Sequence, residues 1–474
     1  MNSNNPWTPE KIEECQSITG ISFSTSRDML SQAAKDFGGL LEGHPVGVAY
    51  PHTATDIAAL LSFANQHRLG FTVRSGGYSQ GGQTLAPQGG ATLDCSRMTH
   101  IEPPSGEART LVCQPGATWG QAVAASAPSG LLPKVMPFFP NLTVGGVLSI
   151  GGIGGNSHLY GCVSGNVREL EVVTGSALLK TCSLTKEPDL FEATLGGLGR
   201  CSVISKVTLE LRRYKPNMVT YYLLYADHKA WLADIQTLRE DYECDYLEAF
   251  CTPSLQGLHK QGDAWKPLPC WLYNLQVSFE HGGQEERRGH QKILDSLGHW
   301  RLLHTEISNT LDFVGRYGVR AQNMKATGSW HTPHPWFECM LPLTQFSEIL
   351  PELLNRLPLS LGDGLGYRLF CVGGKNNMPV SFRMPAGSSL VVGFAALPAS
   401  LPEQNRSHIL DSLESIHEWL ISLGGKRGLS GWLGLNPGAF WQQHYEAYYQ
   451  EWKELKKKYD PHNVLQSVLL QTVP

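Results

Sequence analysis

The sequence predicts an α+β protein of two domains, and three observations carry that expectation. From about Ala33 to Leu211, short β-branched runs alternate with amphipathic stretches. Two glycine-rich clusters interrupt that half, the first directly after an expected strand. From about Arg212 the texture changes: Tyr, Trp and His rise, and amphipathic helices alternate with strands to about residue 430. A length of 474 residues accommodates two or three domains.

The elements follow in order. Val46 to Tyr50 reads as a short strand. Thr53 to Arg68 reads as a helix, because Ile57, Leu60, Leu61 and Ala64 recur on one face and Thr53 with Asp56 has the form of an N-terminal cap. Phe71 to Val73, Ala91 to Asp94 and Thr110 to Cys113 are expected strands, and Thr118 to Ala125 a short helix. Glu169 to Val173 and Ala177 to Cys182 read as a hairpin turning at Thr174-Gly175. Val203 to Leu211 is a strand with partial alternation. Phe440 to Lys458 is expected as one long helix stopped by Asp460-Pro461.

Composition narrows the function classes. Hydrophobic residues make up 41% and charged residues 17%, enough apolar content for a large core and too little charge for wholesale disorder. The net charge of −4 and the lack of a polybasic run give no support to nucleic-acid or membrane-surface binding. No run approaches eighteen apolar residues, and the start lacks a signal-peptide pattern. Eleven scattered cysteines without a Cys-x-x-Cys predict reduced, mostly buried thiols rather than a disulfide framework or zinc site. A cytoplasmic location is the expectation, with no metal. The oligomeric state is left open.

The glycine clusters carry the functional information. The first runs Arg74-Ser75-Gly76-Gly77-Tyr78-Ser79-Gln80-Gly81-Gly82-Gln83. Glycines here let the backbone turn tightly and bring consecutive N–H groups near one anion, such as a pyrophosphate. The second runs from Leu142 through Thr143, Gly145, Gly146, Ser149 and Gly152 to Gly155. It lacks the third glycine and the acidic residue of a nicotinamide-dinucleotide fingerprint. Taken singly, either cluster is equally readable as structural tight turns.

Taken together, the motifs resemble the FAD-binding vanillyl-alcohol oxidase and berberine-bridge-enzyme superfamily, with its PCMH-type FAD domain, and most closely the cytokinin dehydrogenases. Asp36-Phe37-Gly38-Gly39, Tyr50-Pro51, Leu142-Thr143-Val144-Gly145-Gly146 and Leu195-Gly196-Gly197-Leu198-Gly199 are similar to its FAD domain. Pro333-His334-Pro335-Trp336, Glu403-Gln404-Asn405 and Lys458-Tyr459-Asp460-Pro461 are similar to its second half. The resemblance implies an FAD-binding domain over 1–212 with its core at about 40–212. It implies a substrate domain over 213–430, built on an antiparallel sheet flanked by helices, and a segment 431–474 returning to the FAD domain. It implies FAD with its pyrophosphate on Ser75 to Ser79, so that Arg74, Ser75, Gly76, Gly77, Tyr78, Ser79 and Gln83 bind the cofactor. Thr143, Gly145, Gly146, Ser149 and Gly152 would line its ring and diphosphate, and Val203 its adenine end. The implied reaction is hydride transfer from a C–H beside nitrogen or oxygen to flavin N5.

Two departures from the family pattern change the expectation. The family's Gly-His-Ser, whose histidine bonds the flavin, reads Gly77-Tyr78-Ser79 here, and a cysteine attachment is replaced by Asn141 and Leu142. Non-covalent FAD follows. The family's catalytic aspartate, four residues before Leu142, is Phe138, which cannot accept a proton. Another residue replaces it, or the substrate or the chemistry differs. Tyr78, His158 and His331 are the candidate catalytic groups, each also readable as a packed side chain. Tyr160 is a further candidate with the same alternative. Glu338 is the nearest carboxylate to the His-Pro-Trp motif, its direction undetermined. Phe138, Trp330, Trp336 and Trp432 are the expected pocket wall. Pro333 and Pro335 argue against a helical metal site at His331 and His334.

The function expected is an FAD-dependent oxidoreductase acting on a small apolar or aromatic molecule, an amine among the candidates. Three alternatives stay open: a cytokinin dehydrogenase with a relocated base, a biosynthetic flavoenzyme of oxidative cyclisation or non-redox rearrangement, and a non-enzymatic relative of the fold.

Overall fold

In the computed structural model, which describes residues 4–242, 244–362, 366–373, 378–386, 390–401, 403–434, 438 and 440–473, the first helix of the expected FAD domain core is Ala54–His67. Thr53 and Asp56 close a reciprocal capping box at its start, and Arg68 ends it in left-handed backbone at φ 57°. Its face of Ile57, Leu60, Leu61 and Ala64 is buried against Phe71, Ala91 and Leu93 of the neighbouring strands. Those strands, Phe71–Arg74 and Ala91–Asp94, run parallel in a four-stranded sheet with Val48–Ala49 and Phe23–Ser24. A second, antiparallel sheet centres on Ser202–Arg213, which pairs with Thr110–Cys113, Leu131–Pro133 and Val167–Thr174.

The second domain is an eight-stranded antiparallel sheet. Its alternation sorts side chains onto two faces. Leu247, Ala249, Cys251, Phe337, Cys339, Leu341, Tyr367, Leu369, Val392 and Phe394 share one core with the helices His228–Glu240, Leu343–Arg356 and Arg406–Ser422. The other face carries Glu248, Phe250, Glu338, Met340, Arg368 and Phe370, between residues of that core. Helices therefore cover one face only.

The C-terminal segment differs from the single helix expected. Phe440–Tyr445 and Tyr449–Tyr459 are separate helices joined by a 3₁₀ turn, and Glu446 has a φ of 49°. The break brings aromatic rings from both sides together: Tyr445 stacks on Trp452 at 4.4 Å and Trp441 on Trp452 at 5.5 Å. Lys456 lies 2.5 Å from Asp460, which also accepts from the Val464 and Leu465 amides at 2.8 Å. The chain then joins the first domain, where Phe71 donates to the Val464 carbonyl and accepts from the Gln466 amide.

All eleven cysteines are free thiols and only Cys270 is exposed. Among the described residues, no helix is long and apolar enough to cross a membrane.

Candidate active site

Every residue expected to hold the cofactor lines one cleft between the two domains. Its first wall is built by residues 73–84, the segment Pro137 to Ile153, and Leu198 to Ile204. Its second wall comes from the open sheet face, with Trp336, Glu338, Met340, Arg368, Phe370 and Gly393. Gln466 of the C-terminal segment closes part of the rim.

The first glycine loop is shaped from behind by a buried carboxylate. Asp36 accepts from the amides of Gly39 and Gly82 at 3.2 and 3.1 Å and from the Ser79 hydroxyl at 3.2 Å. Burial nevertheless raises its pKa above the usual aspartate value. The carbonyls of Gly77 and Ser79 accept from the amides of Phe37 and Gly38. The amides of Gly76, Gly77, Tyr78 and Ser79 have no acceptor among the described residues. Four successive donors in a turn form a cradle for an anion, as a pyrophosphate requires. Arg74 adds positive charge behind them: its Nη2 donates to the Gln32 carbonyl, while buried Nη1 has no partner among the described residues.

The second cluster packs against the first. Thr143 and Ser75 share a hydrogen bond at 2.7 Å. The short helix Val144–Ile150 begins at Thr143. Gly145 approaches Pro115 so closely that a Cβ there would lie 2.5 Å from the proline Cβ. The donor loop and the close backbone approach fit FAD.

Comparison with known proteins settles the family. Residues 45–183 match the FAD binding domain family, and residues 216–468 match the family described as cytokinin dehydrogenase 1, FAD and cytokinin binding. The chain belongs to the cytokinin dehydrogenase family. It is 26% identical over 452 residues to an uncharacterized oxidoreductase, ORF5 in fasciation locus, of Rhodococcoides fascians, covering 94% of this chain and 98% of that protein. It is 27% identical over 485 residues to cytokinin dehydrogenase 9 of Oryza sativa subsp. japonica, covering 96% and 91%. It is 25% identical over 467 residues to cytokinin dehydrogenase 1 of Arabidopsis thaliana, covering 93% and 81%. As a member of the cytokinin dehydrogenase family, the protein is an FAD-dependent oxidoreductase with an FAD domain and a cytokinin-binding-type domain.

Within that family frame, the residues singled out from the sequence separate into two groups. Tyr78 lines the cleft, edge-on to Trp330 at 5.8 Å, and burial raises its pKa above the usual phenol value. It stays protonated at neutral pH and is a donor rather than a base. Phe138 also lines the cleft, 5.0 Å from Phe370 and 5.6 Å from Tyr317. Phe37 gathers the remaining rings: Trp330 at 4.9 Å, Trp336 at 5.1 Å and His334 stacked at 4.2 Å. His334 is structural, its two ring nitrogens 2.9 and 3.0 Å from the carbonyls of Phe37 and Ala399.

Four residues considered for the site stand outside the lining. His158 is buried with Nε2 2.9 Å from the Cys244 carbonyl, and burial pulls its pKa down to about 4. His331 is exposed at the end of a 3₁₀ turn. Trp432 belongs to the core beneath the sheet, near His417. Its neighbour Trp336, one residue before the strand Phe337–Pro342, lines the cleft with its indole tied to the Pro398 carbonyl at 3.0 Å. Tyr160 packs at the edge of the first domain's core and is likewise outside the lining.

Two charged groups complete the lining. Glu338 is the sole carboxylate among the described lining residues. Its carboxylate accepts from the Ser430 hydroxyl, and a Cβ at Gly428 would lie 2.5 Å from Oε2. Burial raises its pKa above the usual glutamate value. The other titratable lining groups are poor bases at neutral pH: burial raises Tyr78, pushes the Cys95 thiol far up and pushes Cys339 up to about 12. Arg368 shares the sheet face with Glu338. Strand alternation around the His-Pro-Trp motif was the available signal for Glu338, but it needed the sheet to decide which face is open. Arg368 left no motif at all.

Proposed function

We propose that the protein holds FAD non-covalently and oxidises a small apolar or aromatic molecule, with an amine as the leading class, and that Glu338 takes the place of the missing aspartate. The observation that carries this reading is that Glu338 is the one carboxylate among the described residues lining the cleft, while Phe138 fills the expected base position. Bound FAD supplies a two-electron hydride acceptor. Glu338 accepts the proton that leaves the substrate nitrogen or oxygen, leaving an imine or carbonyl product. Ser430 keeps its carboxylate in one orientation. Phe138, Trp330, Trp336 and Phe370 supply flat apolar surface that orients a planar substrate and excludes water. Ser75 to Ser79, with Arg74 and Gln83, would hold the diphosphate. Thr143, Gly145, Gly146, Ser149, Gly152 and Val203 would hold the remainder. The free thiols fit a reducing compartment, in keeping with a cytoplasmic location.

A second reading, a cytokinin dehydrogenase with a relocated base, is favoured by the names of the relatives. The test is anaerobic mixing of the holoprotein with a panel of aromatic amines and isopentenyladenine, following bleaching of the flavin absorbance. Bleaching by an arylalkylamine in the native protein, lost in Glu338→Gln, is the expected result. Bleaching by isopentenyladenine alone favours the second reading. Consumption of a compound without bleaching contradicts net oxidation.

A further inference from the structure

The face of the second-domain sheet that meets the cleft carries a guanidinium that the fold does not use. Arg368 is 3% exposed and lines the cleft. Its Nη2 has no hydrogen-bond partner, and no carboxylate lies within ion-pair distance of it among the described residues. Its Cζ lies 4.6 Å from the Tyr317 ring centre and 5.2 Å from that of Phe250. Those aromatic contacts fix the guanidinium but leave its N–H edge without an acceptor.

The nearby acid is already engaged. Glu248, two positions along the neighbouring strand from Phe250, accepts from both Arg316 and the Tyr317 hydroxyl. That pair is neutral, so among the described residues nothing balances the positive charge of Arg368 at this end of the cleft. Glu338 does not supply the missing partner. Arg368 and Glu338 are cross-strand partners of Ala395 from opposite sides, two strand spacings or about 10 Å apart at the backbone. In the next row Gly393 stands between Phe370 and Met340. Small residues on the central strand thus leave a groove with a carboxylate on one bank and a guanidinium on the other. A buried cation without a partner is costly, so a ligand that neutralises it binds with a large advantage over an uncharged analogue.

We infer that Arg368 recognises a carboxylate on the substrate, so that the preferred substrates are small aromatic acids whose oxidisable group lies at the Glu338 end. The fork of a guanidinium matches a carboxylate with two parallel hydrogen bonds. The cofactor's own phosphates are a poorer match, because the free amides of Gly76 to Ser79 and Arg74 form their cradle on the opposite wall. This inference rests on the reading of the cleft as the place where flavin and substrate meet.

The holoprotein is titrated with benzoate, phenylacetate, 3-phenylpropionate and indole-3-acetate, and with the four matching amides. Binding is followed by calorimetry and by perturbation of the flavin spectrum. At least one acid is expected to bind tenfold or more tightly than its amide. That preference falls to twofold or less in Arg368→Met and partly returns in Arg368→Lys, with flavin content and FAD affinity unchanged in both. Equal binding of acid and amide in all four native pairs, or a preference that survives Arg368→Met, overturns the inference. The comparison in the native protein needs no variant to fold. Acid preference seen by calorimetry without any flavin perturbation keeps the carboxylate site but overturns the reading that it adjoins the flavin.

Discussion

Glu338 and Arg368 flank the same residue, Ala395, on opposite sides of the open sheet face. The intervening strand keeps a carboxylate and a guanidinium from neutralising each other in the cleft. On the proposed reading, Glu338 thereby stays available as a proton acceptor. Replacing it with Gln removes the acceptor while keeping the shape and the Ser430 contact. Flavin reduction is expected to slow by about 100-fold or more, with unchanged flavin content. Because burial raises the pKa of Glu338, the native rate rises with pH through a value above that of an ordinary glutamate, and this limb disappears in the variant. A full rate in Glu338→Gln would contradict the assignment.

The bond between Ser75 and Thr143 holds the two glycine loops at a fixed separation. Thr143→Val keeps the β-branched shape and deletes the hydroxyl. A loss of about 1 kcal/mol is expected, a five- to tenfold weaker FAD affinity by fluorescence titration. An unchanged affinity would mean that the bond does not organise the cradle.

Gly145 illustrates close approach rather than turning. Its amide donates to the Pro115 carbonyl at 2.9 Å, and an added methyl would collide with the proline ring. Gly145→Ala is expected to cost about 1–3 kcal/mol in stability, read as a lower denaturation midpoint, and to lower flavin occupancy.

Much of this was legible in the sequence. The helix after Thr53, the strands at Ala91 and Thr110 and both glycine loops stood out because local periodicity and turn chemistry determine them. Helix breakage at Glu446 was not legible, since it depends on Trp441, Tyr445 and Trp452 meeting across the break. His158 and Trp432 looked like site residues because a sequence does not reveal which face of an element is covered. Arg368 was hidden for the converse reason: its meaning lies in what fails to surround it.

Buried histidines make the fold acid-sensitive. The folded-state pKa of His158 is pulled down to about 4, below its unfolded value, so its contribution is present above the unfolded pKa and is lost as pH falls towards the folded one. His417 and His444 are shifted in the same direction. Between pH 7 and pH 4.5, His158 alone accounts for about 2 kcal/mol of lost stability. Urea melts at the two pH values should show a smaller difference in His158→Gln than in the native protein. An identical difference would exclude His158 as a source.

Tyr78 lines the cleft, and on the proposed reading it stands where the family carries its flavin-bonding histidine. Tyr78→His is therefore expected to form some covalent flavin, seen as fluorescence retained by the denatured polypeptide after electrophoresis. Complete absence would place residue 78 away from the ring.

The most direct test is the flavin of the native protein itself. The purified holoprotein is expected to be yellow, with a flavin absorbance spectrum, and acid precipitation should release all of that colour into the supernatant as FAD. A colourless protein, or a precipitate that keeps its yellow colour, would contradict a non-covalent FAD cleft.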